Sequence, residues 1–154
     1  MTEQEFWRLI ATIDQSALVR QDDDAALEPL LTELRESLEP ELIDFAEILA
    51  MKLYALDGEA YAKHAGKSGE SGDGHLYLRC YVVASGQEFY ERVVRHPAQI
   101  PSSIEQWCEG LLYVHRRAWS ELTGKSAIDW PHESTVSYET FSNQSQWPHL
   151  NSAA

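Results

Sequence analysis

Apolar residues recur along this chain at the spacing of a helix face. Phe6, Leu9, Ile10 and Ile13 follow the i, i+3, i+4, i+7 pattern directly behind Thr2 and Glu5. Those two form a capping box, in which a hydroxyl and a carboxylate each satisfy a free backbone N–H at a helix start. A second helix is predicted behind the acidic run Asp22, Asp23, Asp24, which suits the positive end of a helix dipole, with Leu27, Leu30, Leu31, Leu34 and Leu38 as its stripe. Pro40 opens a third, carried by Leu42, Phe45, Ala46, Leu49 and Leu53 towards Leu56, until Asp57 and Gly58 interrupt the period.

Residues 66–74 read Gly-Lys-Ser-Gly-Glu-Ser-Gly-Asp-Gly and form a loop that divides the chain. Residues 75–84 behind it are apolar nearly throughout. Their Tyr, Val and Cys content suits a central strand, whereas a cap at Asp73 and helical neighbours suit a buried helix, which is the preferred reading. Phe89, Tyr90, Val93 and Val94 predict a further helix that His96 and Pro97 end. Ser102 with Glu105, or Ser103 with Gln106, offers a capping box. Ile104, Trp107, Leu111, Val114, Ala118 and Leu122 then predict one long helix that stops at Gly124.

The tail from 125 is rich in Ser, Thr, Asn and Gln but carries Trp130, Tyr138, Phe141 and Trp147. Aromatics in a polar tail argue for an extended segment laid across the body, its rings in grooves, with a short strand at Thr135–Tyr138 as the alternative. The expected fold class is all-α: a compact orthogonal bundle of about five to seven helices. The helical domain spans residues 1–124, and an irregular C-terminal tail, 125–154, packs on the same domain.

Composition adds a charge asymmetry to this outline. The 154 residues are 44% hydrophobic and 24% charged, as expected of a single globular domain, and the net charge is -13. Residues 1–60 hold 15 acidic and 4 basic side chains, whereas residues 61–124 hold 7 of each. Such a surface repels nucleic acid, whose binders place Lys and Arg on phosphates, and attracts a basic protein. The opening Met1-Thr2-Glu3-Gln4-Glu5 has no basic start or apolar run of a secretory signal, and charges interrupt every apolar stretch, so a cytoplasmic protein without membrane insertion is expected.

Candidate chemistry is sparse. Cys80 and Cys108 are far apart and read as buried, reduced thiols; none of the six histidines stands in an HxxxH or HExxH spacing, so no metal and no cofactor is expected. Gly66-Lys67-Ser68 has the ending of a phosphate-binding P-loop, but Tyr61 occupies the place of its first glycine. Ser71, Asp73 and His75 are the residue types of a hydrolase triad, yet adjacent loop positions do not form its relay. Asp73 and Arg79 read as a structural ion pair fixing the loop. Arg92, Arg95, Arg116 and Arg117 are the main basic residues, and they either meet the acidic half across the packed helices or point outward and favour self-association.

Three segments together resemble the bacterial domain-of-unknown-function family 4240. They are Ser71-Gly72-Asp73-Gly74 leading to Tyr77, Arg79, Tyr81 and Gly86; Cys108-Glu109-Gly110-Leu111-Leu112-Tyr113-Val114 with Glu121-Leu122-Thr123-Gly124; and Glu5-Phe6-Trp7 with Ile10. The resemblance spans about residues 1–124. The chain departs from the family pattern at Gly72, where a second Asp is usual, at His75, where an aromatic is usual, and at Tyr81, where Trp is usual. The resemblance implies a mainly helical, cytosolic bacterial protein and supplies no reaction.

Two functions follow as expectations. The first is a non-enzymatic interaction domain, in its most concrete form an immunity-type inhibitor of a toxin. It would take a basic protein on Asp22, Asp23, Asp24, Glu28, Glu33, Glu36, Asp44 and Glu47, with Glu39 and Glu41 beside them. The second is a small-molecule enzyme or ligand-binding domain using Ser71, Asp73, Gly74, Tyr77 and Arg79.

Overall fold

A computed structural model describes residues 1–152. Among them there is no strand, and nine α-helices are joined by short 3-10 turns. The fold class is all-α, as the periodicity implies.

The N-terminal helices form where the sequence caps them. Thr2 Oγ1 accepts from the Glu5 N–H (3.1 Å) and Glu5 accepts from the Thr2 N–H (2.9 Å), starting α1 (Glu3–Ile10). A short α2 (Gln15–Val19), which the periodicity does not announce, is capped by Asp14 and buries Ala17 and Leu18. Asp22 caps α3 (Asp23–Leu34) through the Ala25 N–H. Pro29 lies inside α3 on its exposed side, so the Ala25 carbonyl that loses an intrahelical donor faces solvent. The stripe ends at Leu34, and Leu38, read as its last member, is exposed ahead of α4 (Glu39–Ala55).

After α5 (Glu59–Ala62), the Gly-rich segment is not an open loop. Gly66–Glu70 winds into a 3-10 turn, and α6 (Gly72–Ala84) begins at once, with Ser71 rather than Asp73 as its cap (Gly74 N–H to Ser71 Oγ, 3.0 Å). Residues 75–84 are helical. They are buried nearly all round, which erases the amphipathic pattern and explains why a strand reading competes. Helix α6 is the centre of the core, with α7 (Gln87–Arg95) behind it.

The long helix predicted from Ser102 to Gly124 is a correction. Residues 101–108 are irregular, Glu109–Leu112 form a 3-10 turn, and only α8 (Val114–Thr123) is helical, ending at Gly124. Ser103 and Gln106 still make their turn, but the following backbone is drawn to tertiary partners. The Cys108 N–H donates to the Tyr77 carbonyl of α6 (3.1 Å), and the Gly110 N–H donates to Asp23 of α3 (3.3 Å). A glycine in the middle of the pattern lowers the cost of leaving the helix.

The tail crosses the body as an irregular strap with turns at Ala127–Asp129 and Gln144–Gln146, and ends in α9 (Pro148–Ser152). Trp130 packs edge-on against His115 and Trp119, and Trp147 lies edge-on against His75. Among the described residues, no helix is long and apolar enough to cross a membrane.

Candidate functional site

The acidic residues divide into two groups by what they touch. Asp22 is spent on its cap, and Asp23 is half-buried against Gly110, where burial raises its carboxyl above the usual range. Glu39 accepts from the Trp119 indole N–H (3.0 Å), Asp44 from the Met1 amine (2.6 Å), and Glu47 from His132 (2.6 Å) and the Thr135 N–H (2.9 Å). Burial alone would raise the Glu47 carboxyl, but these bonds outweigh it and hold it below its ordinary value. The rest lie at the surface. Glu28 pairs with Arg35, Glu33 meets Arg8 only at 3.9 Å, and Asp24 and Glu36 enter no ion pair among the described residues. Glu5, Glu33, Glu36 and Glu41 line one groove of about 250 Å³ between α1, α3 and the start of α4, shared with Arg8.

The loop residues are built into the fold. Gly66 has a positive φ of 58° and abuts the Ser102 carbonyl, and a Cβ on Gly69 would stand 2.1 Å from the Ala62 carbonyl oxygen, so Gly69 lets the turn press against α5. Asp73 and Arg79 do not form the expected ion pair. Arg79 is fully buried and reaches away from the loop, donating to the Leu53 carbonyl (2.8 Å), the Tyr138 carbonyl (2.9 Å) and Thr140 Oγ1 (3.1 Å). Thr140 in turn donates to the Gly72 carbonyl (2.7 Å). Burial lowers the Arg79 pKa, and the charge of Asp57 opposes that shift. Tyr77 packs edge-on against Trp107, whose indole N–H donates to Ser68 Oγ.

Asp57, which the sequence shows only as a break in a helix pattern, holds the other end of the tail. It is fully buried and accepts from the Phe141 N–H (3.0 Å), the Asn143 N–H (2.9 Å) and the Trp147 indole N–H (2.9 Å). Together Arg79 and Asp57 clamp the strap with five hydrogen bonds.

Between these clamped residues and α4 and α8 the tail arches over a cleft of about 520 Å³, within the size of small-molecule sites. Its helix side offers Ala46, Leu49, His115 and Arg116; its tail side offers Trp130, His132 and a run of hydroxyls from Ser134 to Tyr138. His115 is 4% exposed, its Nδ1 has no hydrogen-bond partner, and burial pushes its pKa down to about 3, so the ring is neutral at pH 7. The buried Nε of Arg116 is also unpartnered. The arrangement can bind a polar group. Neither Cys80 nor Cys108 lines it, and both thiols are buried with pKa values raised by burial. Among the described residues, no three His, Cys, Asp or Glu side chains converge in a way that holds a metal ion.

A family model described as a protein of unknown function, DUF4240, matches residues 1–121. The chain belongs to the DUF4240 family. No curated protein and no solved structure matches it. The DUF4240 match takes in α1 to α7 and nearly all of α8, and stops before the tail. The cleft therefore straddles its edge: His115 and Arg116 lie inside the DUF4240 region, and Trp130 to Tyr138 lie outside it.

Proposed function

We propose that this protein is a non-enzymatic interaction domain that takes a basic protein on its acidic face, as an immunity-type inhibitor working in the bacterial cytoplasm. The observation that carries the reading is the groove between α1, α3 and α4, where Glu33 and Glu36, with the helix-capping Glu5 and Glu41, outnumber the two cations that share it, Arg8 and the Met1 amine. Like charges held along one groove cost the free protein some stability and are relieved by an incoming cation-rich surface. The -11 net charge of the first 60 residues extends the same field beyond the groove and steers a basic partner towards it. Of the residues expected to bind, Asp24, Glu33 and Glu36 remain available at the surface and Glu28 is exposed but paired with Arg35, whereas Asp22, Asp23, Asp44 and Glu47 are committed to contacts within the protein. The alternative of a ligand on the 66–74 loop is less favoured, because Ser71 caps α6 and Arg79 is bonded into the clamp, which leaves the exposed Asp73 without them.

The test is capture of partners from the source lysate at low and high salt, with the double variant Glu33→Lys, Glu36→Lys alongside the native protein. A basic protein held at low salt, released at high salt and lost by the variant is the expected result. Capture that ignores both salt and charge reversal, or no capture at low salt, overturns the reading.

A further inference from the structure

We propose that the cleft beneath the tail is a binding site for a small monocarboxylic acid with a flat apolar body, its carboxylate seated on the guanidinium of Arg116. Three observations meet there. The first is that two buried polar atoms of the cleft, on His115 and Arg116, are left without partners. Arg116 enters no ion pair among the described residues and its buried Nε makes no hydrogen bond. Folding normally avoids a desolvated cationic donor without an acceptor, and a carboxylate supplies one in the planar geometry that suits a guanidinium. Beside it, His115 is buried and held edge-on to Trp130 at 5.0 Å and tilted against Phe45 at 6.0 Å, so the ring is fixed while its Nδ1 stays unpartnered.

The second observation is the sign of the site. The guanidinium of Arg116 lines the cleft, and the half-buried Glu47 is already engaged by His132 and the Thr135 N–H. The exposed Glu133 and Glu139 at the rim repel a ligand that brings more than one negative charge, which selects a monoanion over phosphate. The third is shape: Ala46 and Leu49 form an apolar side, Trp130 a flat wall, and the hydroxyls of the tail a polar edge. This site stands independently of the acidic face, which lies on other residues.

Binding of benzoate, phenylacetate and indole-3-acetate to the full chain, followed by NMR chemical shifts and calorimetry up to about 10 mM, tests the proposal. At least one of the three is expected to bind and to shift the Trp130 indole and Thr135 amide signals. Arg116→Gln weakens it by about tenfold or more, Arg116→Lys weakens it by less, and Arg117→Gln on the exposed neighbouring position leaves it unchanged. Benzamidine, of the same shape and opposite charge, does not bind. Thermal melts of each variant establish that it is folded before binding is compared. Absence of binding by all three acids, equal binding by Arg116→Gln, or competition by inorganic phosphate or benzamidine overturns the proposal.

Discussion

The tail crosses two sets of polar side chains that are buried or half-buried, and the sets differ in how they are satisfied. Over α6, Asp57 accepts three hydrogen bonds and Arg79 donates three. Over α4 and α8, the His115 and Arg116 side chains make none among the described residues, although each lines the same strap of chain. A buried charge with its partners in place is part of the fold, and removing one partner strands the others. A buried polar group facing an open cleft instead leaves bonding capacity for something that arrives from solution. The comparison sets a structural clamp beside the cleft proposed to bind a carboxylate, and it can be broken from either side.

The largest effect is expected at the clamp. Asp57→Ala removes the acceptor of the Phe141 and Asn143 N–H groups and of the Trp147 indole, and takes away the carboxylate whose charge favours protonated Arg79. The variant is expected to lose about 3–5 kcal/mol of stability in urea denaturation and to become cleavable by protease between residues 139 and 147. Asp57→Asn keeps one acceptor oxygen and is expected to lose less. A loss near zero for the Ala variant would show that the tail is not held by this residue.

A smaller effect, set by pH, is shared by the two regions. His75 under the clamp and His115 in the cleft are both pushed to about 3 by burial, helped by Arg79 at the first and by Arg116 and His132 at the second. Neither His75 nitrogen makes a hydrogen bond, although the neighbouring Leu56 carbonyl favours its protonation slightly. In the unfolded chain both titrate near 6.5, so below that pH the unfolded state binds protons that the folded state refuses. Stability is therefore present above about pH 6.5 and falls as the pH drops towards 3, by about 1.4 kcal/mol per pH unit for each histidine. His75→Leu and His115→Phe are each expected to remove one share of that slope between about pH 6 and pH 4 in denaturant titrations. An unchanged slope in both variants would show that the two rings are hydrated.

How much of this was legible beforehand follows from the range of each interaction. The capping box at Thr2, the leucines of α3, the start of α4 and the end of α7 are local patterns, and the chain folds there as they imply. Residues 101–113 escape that reading because the partners of Cys108 and Gly110 are Tyr77 and Asp23, far away in sequence. Asp57 escapes it more completely. Its donors lie 84, 86 and 90 residues on, and a lone Asp before a glycine carries no sign of them. The cleft is the least legible feature. His115 and Arg116 are consecutive, and consecutive helical positions do not share a face, so only the tail wrapping over α8 brings both into one space. The four aromatics of an otherwise polar tail were the available signal, and Trp130 and Trp147 do fill grooves on the body.

The smallest effect concerns the Gly-rich turn, where a family-like Ser-Gly-Asp-Gly run invites a ligand reading. Ser71 is exposed, but its hydroxyl accepts from the Gly74 N–H at the start of α6, which is the work of a helix cap. Ser71→Ala is expected to cost about 1 kcal/mol in chemical denaturation, the usual worth of such a cap. Carboxylate binding in the cleft should be unaltered, because Arg116 and Trp130 lie on other elements. A variant of native stability that nonetheless loses affinity for the carboxylate would move that ligand's site from the cleft to the turn. A variant that loses only the stability of one cap leaves the turn on the structural side, beside Arg79 and Asp57.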